Sequence, residues 1–170
     1  LNQNVQMSNE IMRYLVNERP DAQAIITGAP DFAEIHGVVY LYQIPTGVIV
    51  TASVENLPSK ESSWAVYALH IHNGTACVGT AEVPFAGVGS HYNPYSLPHP
   101  YHAGDLEPLF ANVGYAWYAF FTNRFTVDDV IGKPILIHSG VDDFITQPYG
   151  GSGERIACGL IQRVVNGFSM

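Results

Sequence analysis

The chain is poor in positive charge: 7 Lys and Arg stand against 15 Asp and Glu among 170 residues, a formal net charge of −8. Binding to phosphates needs basic groups that displace counterions, so nucleic acid fits badly as a partner, as does an anionic membrane surface. Charged residues make up only 13% and hydrophobic ones 47%, which argues against both a disordered tail and a coiled coil. Long apolar runs are lacking too. The longest nearly unbroken one, 113–121, is half a membrane span at best, so no membrane partner is expected. Cysteine is limited to Cys77 and Cys158, compatible with a disulfide, a metal pair or two unrelated thiols, and too scarce to fix a compartment. The chain opens at Leu1 with no basic-then-apolar leader, so a trimmed or processed product is expected. Asn73-Gly74-Thr75 matches the N-glycosylation sequon, which matters only in a eukaryotic secretory route.

What is present suits one domain with a sizeable core. Helical periodicity is confined to the start, read as an N-terminal extension over 1–21. There Ser8 or Asn9 is placed to cap a short helix with Ile11, Met12, Leu15 and Val16 on one face, ending before Pro20. The domain proper, 22–170, reads as strands and turns. Segments 22–27, 34–43, 47–55, 64–72, 115–125, 134–138 and 155–165 are β-rich. Turn signals stand at Gly28-Ala29-Pro30-Asp31, at Pro45-Thr46-Gly47 and over 58–63. Seven or eight short strands with no helices among them predict an all-β sandwich or barrel. The exception is 73–112, a stretch with five prolines, five glycines and no convincing strand or helix. Loops of that length are usually functional, and something other than secondary structure is expected to order this one. A second glycine-rich loop spans 139–154.

Six of the seven histidines fall between positions 70 and 138. His36, the seventh, lies inside an early strand as a packed or surface residue. His70 and His72 are two apart on a strand and project from one face, leaving Tyr67, Leu69 and Ile71 as core candidates on the other. His138 closes the strand Pro134-Ile135-Leu136-Ile137-His138. Three strand imidazoles that converge suit Cu(II). His99, His102 and Asp105 form H-x2-H-x2-D within the long loop, two nitrogens and an oxygen that can fold around a tetrahedral Zn2+, with His91 available as fourth ligand.

The order of these motifs resembles that of the copper/zinc superoxide dismutases. Carrying the resemblance are Leu69-His70-Ile71-His72, His91-Tyr92-Asn93-Pro94, His102-Ala103-Gly104-Asp105-Leu106, Ile137-His138 and Gly153-Glu154-Arg155-Ile156-Ala157-Cys158-Gly159, within about 22–162. The resemblance implies an all-β Greek-key sandwich or flattened barrel of about eight antiparallel strands, with two long metal-site loops and a short N-terminal helix. It implies copper at His70, His72, His91 and His138, and zinc at His91, His99, His102 and Asp105, with His91 bridging the two metals. Asp142 would link His70 to His99, and Arg155 would bind the substrate anion beside copper. Cys77 would pair with Cys158. The implied activity is disproportionation of superoxide to dioxygen and hydrogen peroxide, with Arg155 and His91 as catalytic groups. The implied partners are the superoxide anion and, in a possible homodimer, a second copy. An extracellular or cell-envelope location is slightly favoured by the disulfide.

Several features depart from that pattern. The spacing from His99 to His102 is short, the run from His72 to Cys77 is compact, and Ala68 stands where the family generally has glycine. The segment 139–154 contains no Lys, so Arg155 is expected to carry most of the local attraction for an anion, with turnover below the family's best. A non-catalytic copper- or zinc-binding module for storage or delivery, or a redox-inactive structural metal protein, are the other classes. A zinc hydrolase fits less well, because four protein donors would leave no open position for water.

Overall fold

Alternation of apolar and polar residues along short strands sets the architecture. The structure, a computed structural model, describes residues 3–58 and 64–165. Its elements run α1 (Gln3–Asn17), β1 (Ala22–Gly28), β2 (His36–Ile44), β3 (Gly47–Glu55), β4 (Trp64–Tyr67), β5 (Leu69–Ile71), β6 (Leu109–Asn112), β7 (Ala116–Thr122), α2 (Val127–Val130), β8 (Pro134–His138) and β9 (Arg155–Arg163). Seven strands form one antiparallel sheet in the order β5-β8-β9-β1-β2-β3-β7, and β4 pairs with β6 in a two-stranded ribbon. The ribbon joins the two edges of the larger sheet, since β4 runs into β5 through Ala68 and β6 turns back into β7 through an Asn112–Tyr115 bridge. The result is the expected Greek-key flattened barrel.

Its interior is filled by the inward residues of successive cross-strand pairs. Ala24, Val39 and Ala52 form one such row, and Ala22, Leu41 and Val50 the next, all buried. Ile26, Tyr67, Leu69, Leu109, Ile135, Ile137 and Ile161 complete the same cluster. Burial of this apolar surface is the main stabilising term, at roughly 25 cal/mol per Å2.

Strand positions follow the sequence pattern closely, with three corrections besides the single-turn α2 between β7 and β8, where the sequence pattern leads to no helix. Segment 64–72 is two strands rather than one. Ala68 interrupts it, donating its N–H to Gly140 O and accepting from His138 N, both at 2.9 Å, where the chain crosses from ribbon to sheet. The 73–112 stretch contains β6, whose four residues directly after Pro108 are too short to stand out by periodicity. Backbone pairing also orders more of that stretch than expected: Tyr92 N donates to Ile71 O, Ile71 N to Gly104 O, and Gly104 N to Tyr92 O, at 2.8–2.9 Å.

The third correction concerns α1. It starts at Gln3, so Ser8 and Asn9 lie inside it rather than at its cap. Its buried face is Ile11, Tyr14 and Leu15, which pack on Tyr40, Tyr42, Ile44, Ile49 and Phe121, while Met12 and Val16 point outward. The turn expected over 58–63 falls mostly at 59–63, outside the described residues. His36 is a surface residue, 3.5 Å from Glu55.

Cys77 and Cys158 are joined in a disulfide that spans 81 residues and ties the long loop to β9. Around it Val88, Leu136, Phe85 and the two cysteines form a small cluster of their own on the outer face of the sheet. Cys77→Ser or Cys158→Ser should lower unfolding free energy by roughly 2–4 kcal/mol, because so long a closed loop constrains the unfolded chain. Urea denaturation of the oxidised chain beside either variant measures it; equal midpoints would contradict the expectation.

Candidate metal centre

β5 and β8 lie side by side and bring the first histidines together. His70 sits on β5, His72 one residue beyond its end, and His138 at the end of β8. Leu69 and Ile71 fill the inner face, so the imidazoles of His70 and His72 leave the barrel outward. The long loop is delivered to them by its backbone: His91 bridges to His72, and Asp105 to His70. All six histidines, Asp105 and Asp142 are no more than 5% exposed.

The donors form two sets with one member in common. Ligand atoms of His70, His72, His91 and His138 lie within 4.8 Å of one another, as do those of His91, His99, His102 and Asp105. Either set could hold a metal ion.

Partners on the far side of each ring fix which nitrogen faces the common space. His70 and His99 donate their Nε2–H groups to the two oxygens of Asp142, each at 2.8 Å, which turns both Nδ1 atoms inward. His72 donates Nδ1–H to Gly89 O at 2.9 Å, and His138 Nδ1 lies 3.4 Å from Gly153 O. Their Nε2 atoms then face each other at 3.3 Å as two lone pairs, an arrangement that suits an intervening cation rather than a hydrogen bond. His91 Nδ1 stands 2.7 Å from Asp105 Oδ1 and 3.4 Å from His102 Nδ1, and its Nε2 points toward the other set. His70 Nδ1, His91 Nε2 and His99 Nδ1 are buried with no hydrogen-bond partner. Leaving such atoms unpaired is costly, and metal coordination would satisfy them. The residues therefore fit the metals of the family they resemble.

Burial keeps His70, His72, His102 and His138 neutral, the form that binds metal. It pushes His72 down to about 2 and His138 to about 3, against the carbonyl hydrogen bonds that favour protonation. Burial likewise lowers His70 and His102, outweighing their carboxylate neighbours. Burial opposes the charge of Asp142, but hydrogen bonds from His70, Phe144 N and His99 hold its carboxyl down at about 2. Asp105 is also held below the ordinary carboxylate range, its burial overcome by His91 and then by His102 and His99.

A cleft of about 350 Å3 opens over the first set, lined by His72, His91, His138 and Arg155 and walled by Gln147 and Tyr149. Arg155 is held at its mouth by bonds from Nη1 to Phe85 O at 2.9 Å and from Nη2 to Gly89 O at 3.3 Å. Both carbonyls belong to the loop segment that the disulfide secures.

Several residues escaped the sequence reading. Gln147 brackets His99, accepting from its N–H at 3.0 Å and donating to its carbonyl at 2.6 Å. The Tyr149 ring lies 5.1 Å from that of His91. Arg124 donates to His102 O at 3.2 Å. Gly150, at φ +67°, lies so close behind Asp142 that a Cβ there would sit on Oδ1 and 2.7 Å from His99 Nε2. Only the glycine density of the second loop hinted at this last contact.

A flattened β-barrel bearing two histidine-rich donor sets that share one imidazole defines a metal-binding protein. The sequence profile of the family described as "Copper/zinc superoxide dismutase (SODC)" matches residues 35–161. The chain belongs to the copper/zinc superoxide dismutase family. It is similar to a superoxide dismutase [Cu-Zn] of Photobacterium leiognathi, 31% identical over 140 residues that cover 74% of this chain and 78% of that protein. An extracellular superoxide dismutase [Cu-Zn] of Rattus norvegicus is 27% identical, the match covering 78% of this chain. A copper chaperone for superoxide dismutase of Homo sapiens is 29% identical across 84% of it. The chain spans only 57% of the rat protein and 53% of the human one. Its fold is shared with a crystal structure of a double mutant of a SOD-like protein from Bacillus subtilis, at TM-score 0.69 and 24% identity over 82% of this chain and 96% of that one.

Two predictions follow from the buried rings. Without metal, stability should fall as pH drops below about 6.5, because unfolded imidazoles take up protons that folded His72 and His138 refuse until about 2 and about 3. The slope should approach ~1.4 kcal/mol per pH unit for each of these histidines; denaturant melts of metal-free chain between neutral and mildly acid pH measure it, and a flat profile would contradict it. Gly150→Ala should displace Asp142 and weaken metal retention by roughly tenfold or more, read by competition with a chromophoric chelator.

Proposed function

We propose that the chain is a superoxide dismutase, with copper held by His70, His72, His91 and His138 and zinc by His91, His99, His102 and Asp105. One observation carries the reading. His91 contributes its Nδ1 side to one donor set and a buried, unpartnered Nε2 to the other, so a single ring serves both. When bound, copper supplies the one-electron cycling that superoxide disproportionation requires, and zinc supplies a redox-silent charge.

The chain's own residues do the rest. Arg155 offers a permanently charged planar fork beside the cleft, with only two of its donors committed to carbonyls. It draws the anion toward His72, His91 and His138, beside a second loop, 139–154, that contains no Lys. His91 Nε2 is the atom that would carry a proton into the cleft. Asp142 holds the rings of His70 and His99 in the tautomer that presents Nδ1. The Cys77–Cys158 disulfide and the extracellular relatives support an extracellular or cell-envelope location.

The second reading is a non-catalytic module for copper or zinc storage or delivery, favoured by the similarity to the human copper chaperone. Dismutation by protein loaded with equal copper and zinc, with metal content counted in the same samples, separates the two. Fast turnover that disappears in His138→Ala supports the enzyme; full loading with no turnover above free copper supports the module. Arg155→Ala should lower the rate by roughly tenfold and flatten its salt dependence.

A further inference from the structure

A diatomic anion needs little room, yet the cleft over His72, His91 and His138 holds about 350 Å3. That is about ten times the ~30 Å3 share of one water molecule in the liquid, and within the range of pockets that take organic ligands. Its charge is one-sided. Arg155 is the only Lys, Arg, Asp or Glu in its lining, in a chain of net charge −8. A neighbouring cleft of about 360 Å3 shares Gly153 and Arg155 with it and is walled by Asp31, Glu82 and Glu154. Carboxylates thus gather on one side of the arginine and leave the other side to an anion.

Binding capacity in this cleft is unused. Arg155 commits one N–H of each Nη to the carbonyls of Phe85 and Gly89, which leaves Nε–H and one further N–H on each Nη uncommitted among the described residues. Ser152 is only 3% exposed and its carbonyl accepts from Gly140 N, but its hydroxyl makes no hydrogen bond among the described residues. A buried hydroxyl without a partner is costly, and an anionic oxygen would satisfy it. Tyr149 offers an aromatic face, 44% exposed and tilted 51° to the ring of His91. The other polar walls are already engaged. The Gln147 amide holds both backbone groups of His99, and the Thr146 hydroxyl donates to Asp143.

The Tyr149 ring is set in place from both sides. Before it, Gln147 grips His99; after it, Gly150 N donates to Thr146 O at 2.7 Å, and Gly150 O accepts from Asp143 N at 2.9 Å. Gly150 and Gly151, at φ +67° and +60°, make a turn that other residues adopt only with strain.

We propose that this cleft binds a one-ring aromatic carboxylate, its carboxylate forked on Arg155 and bonded to the Ser152 hydroxyl, its ring laid against Tyr149. The arginine fork supplies direction, and the ring contact supplies preference for an aromatic acid over an aliphatic one. While bound, the acid keeps superoxide out, because both take the space over His72, His91 and His138. That consequence rests on the copper assignment proposed above; the binding itself does not.

Isothermal titration calorimetry of the full chain loaded with copper and zinc, at low ionic strength, tests this with benzoate and acetate. Benzoate should bind tighter than acetate by roughly fivefold. Tyr149→Ala should abolish that preference and Tyr149→Phe should keep it, because the ring rather than the hydroxyl makes the contact. Arg155→Gln and Ser152→Ala should each weaken both acids. Benzoate should also raise the azide concentration needed to develop the copper–azide absorption band. Selective benzoate binding by a protein that shows no dismutation would leave this site standing and remove only the enzyme reading. Benzoate that binds no better than acetate would overturn the proposal. So would a preference that survives Tyr149→Ala with an unchanged circular dichroism spectrum. If the alanine variant loses its spectrum, Tyr149→Thr replaces it and must abolish the preference as well.

Discussion

The carboxylate of Asp142 is shared between two rings, one in each donor set, and much of the site's geometry depends on that sharing. Each oxygen accepts one Nε2–H, from His70 on a strand and from His99 in the long loop, at equal distances of 2.8 Å. A carboxylate buried in this way ordinarily becomes neutral, but three hydrogen bonds keep it charged. Its charge fixes the tautomer of both rings, so both present Nδ1 to the interior. Gly150 completes the arrangement by leaving space behind the carboxylate that any Cβ would fill. Gln147 then holds the backbone of His99 from both sides. The second loop thus governs a ligand of the first without contributing a donor to either set.

The barrel supports this site by rigidity, and the loops by closure. Only His70, His72 and His138 belong to or adjoin strands; the other donors arrive through the backbone ladder that joins β5 to residues 91, 92, 104 and 105. A row of paired residues shows how the cover is built. His70, Leu136 and Cys158 lie side by side on the outer face, all buried under the loop, whereas Thr27, His36 and Glu55 continue the same row in the open. The disulfide stands near that boundary, and Arg155 with it. Buried imidazoles and two buried carboxylates make the centre costly without a cation, so a metal ion bound there would be thermodynamically linked to the fold.

The strands and the site were legible to different degrees for physical reasons. A run rich in β-branched and apolar residues with turn signals beside it is a strong strand signal, so 47–55 and 134–138 matched to the residue. It fails at β6, where four residues provide only two inward positions, and at Ala68, where a single residue changes sheets without a turn signal. The face of α1 was misjudged because Met12 and Val16 are as apolar as Ile11 and Leu15; only the barrel's position shows that Tyr14 belongs inside. The donor residues were visible because histidine is scarce and clustered. Gln147, Tyr149 and Arg124 were not, since their roles depend on side-chain reach to backbone or ring atoms far away in sequence.

The outer surface of the barrel divides into regions with different coverings. Loops and the disulfide cover the outer faces of β5, β8 and part of β9, and bury the histidines, with one cleft left over His72, His91 and His138. The helix α1 covers one end of β2, β3 and β7 through Tyr42, Ile49 and Phe121. Two residues farther along those strands lies the uncharged row of Tyr40, Thr51 and Ala119, and two farther still the row of Val38, Ser53 and Trp117. Each step of two keeps the same face, so the apolar character continues past the edge of the helix instead of giving way to charge. In a sequence with so strong an acidic excess, a neutral sheet face extending over three rows requires a physical reason. The helix supplies one for the first row.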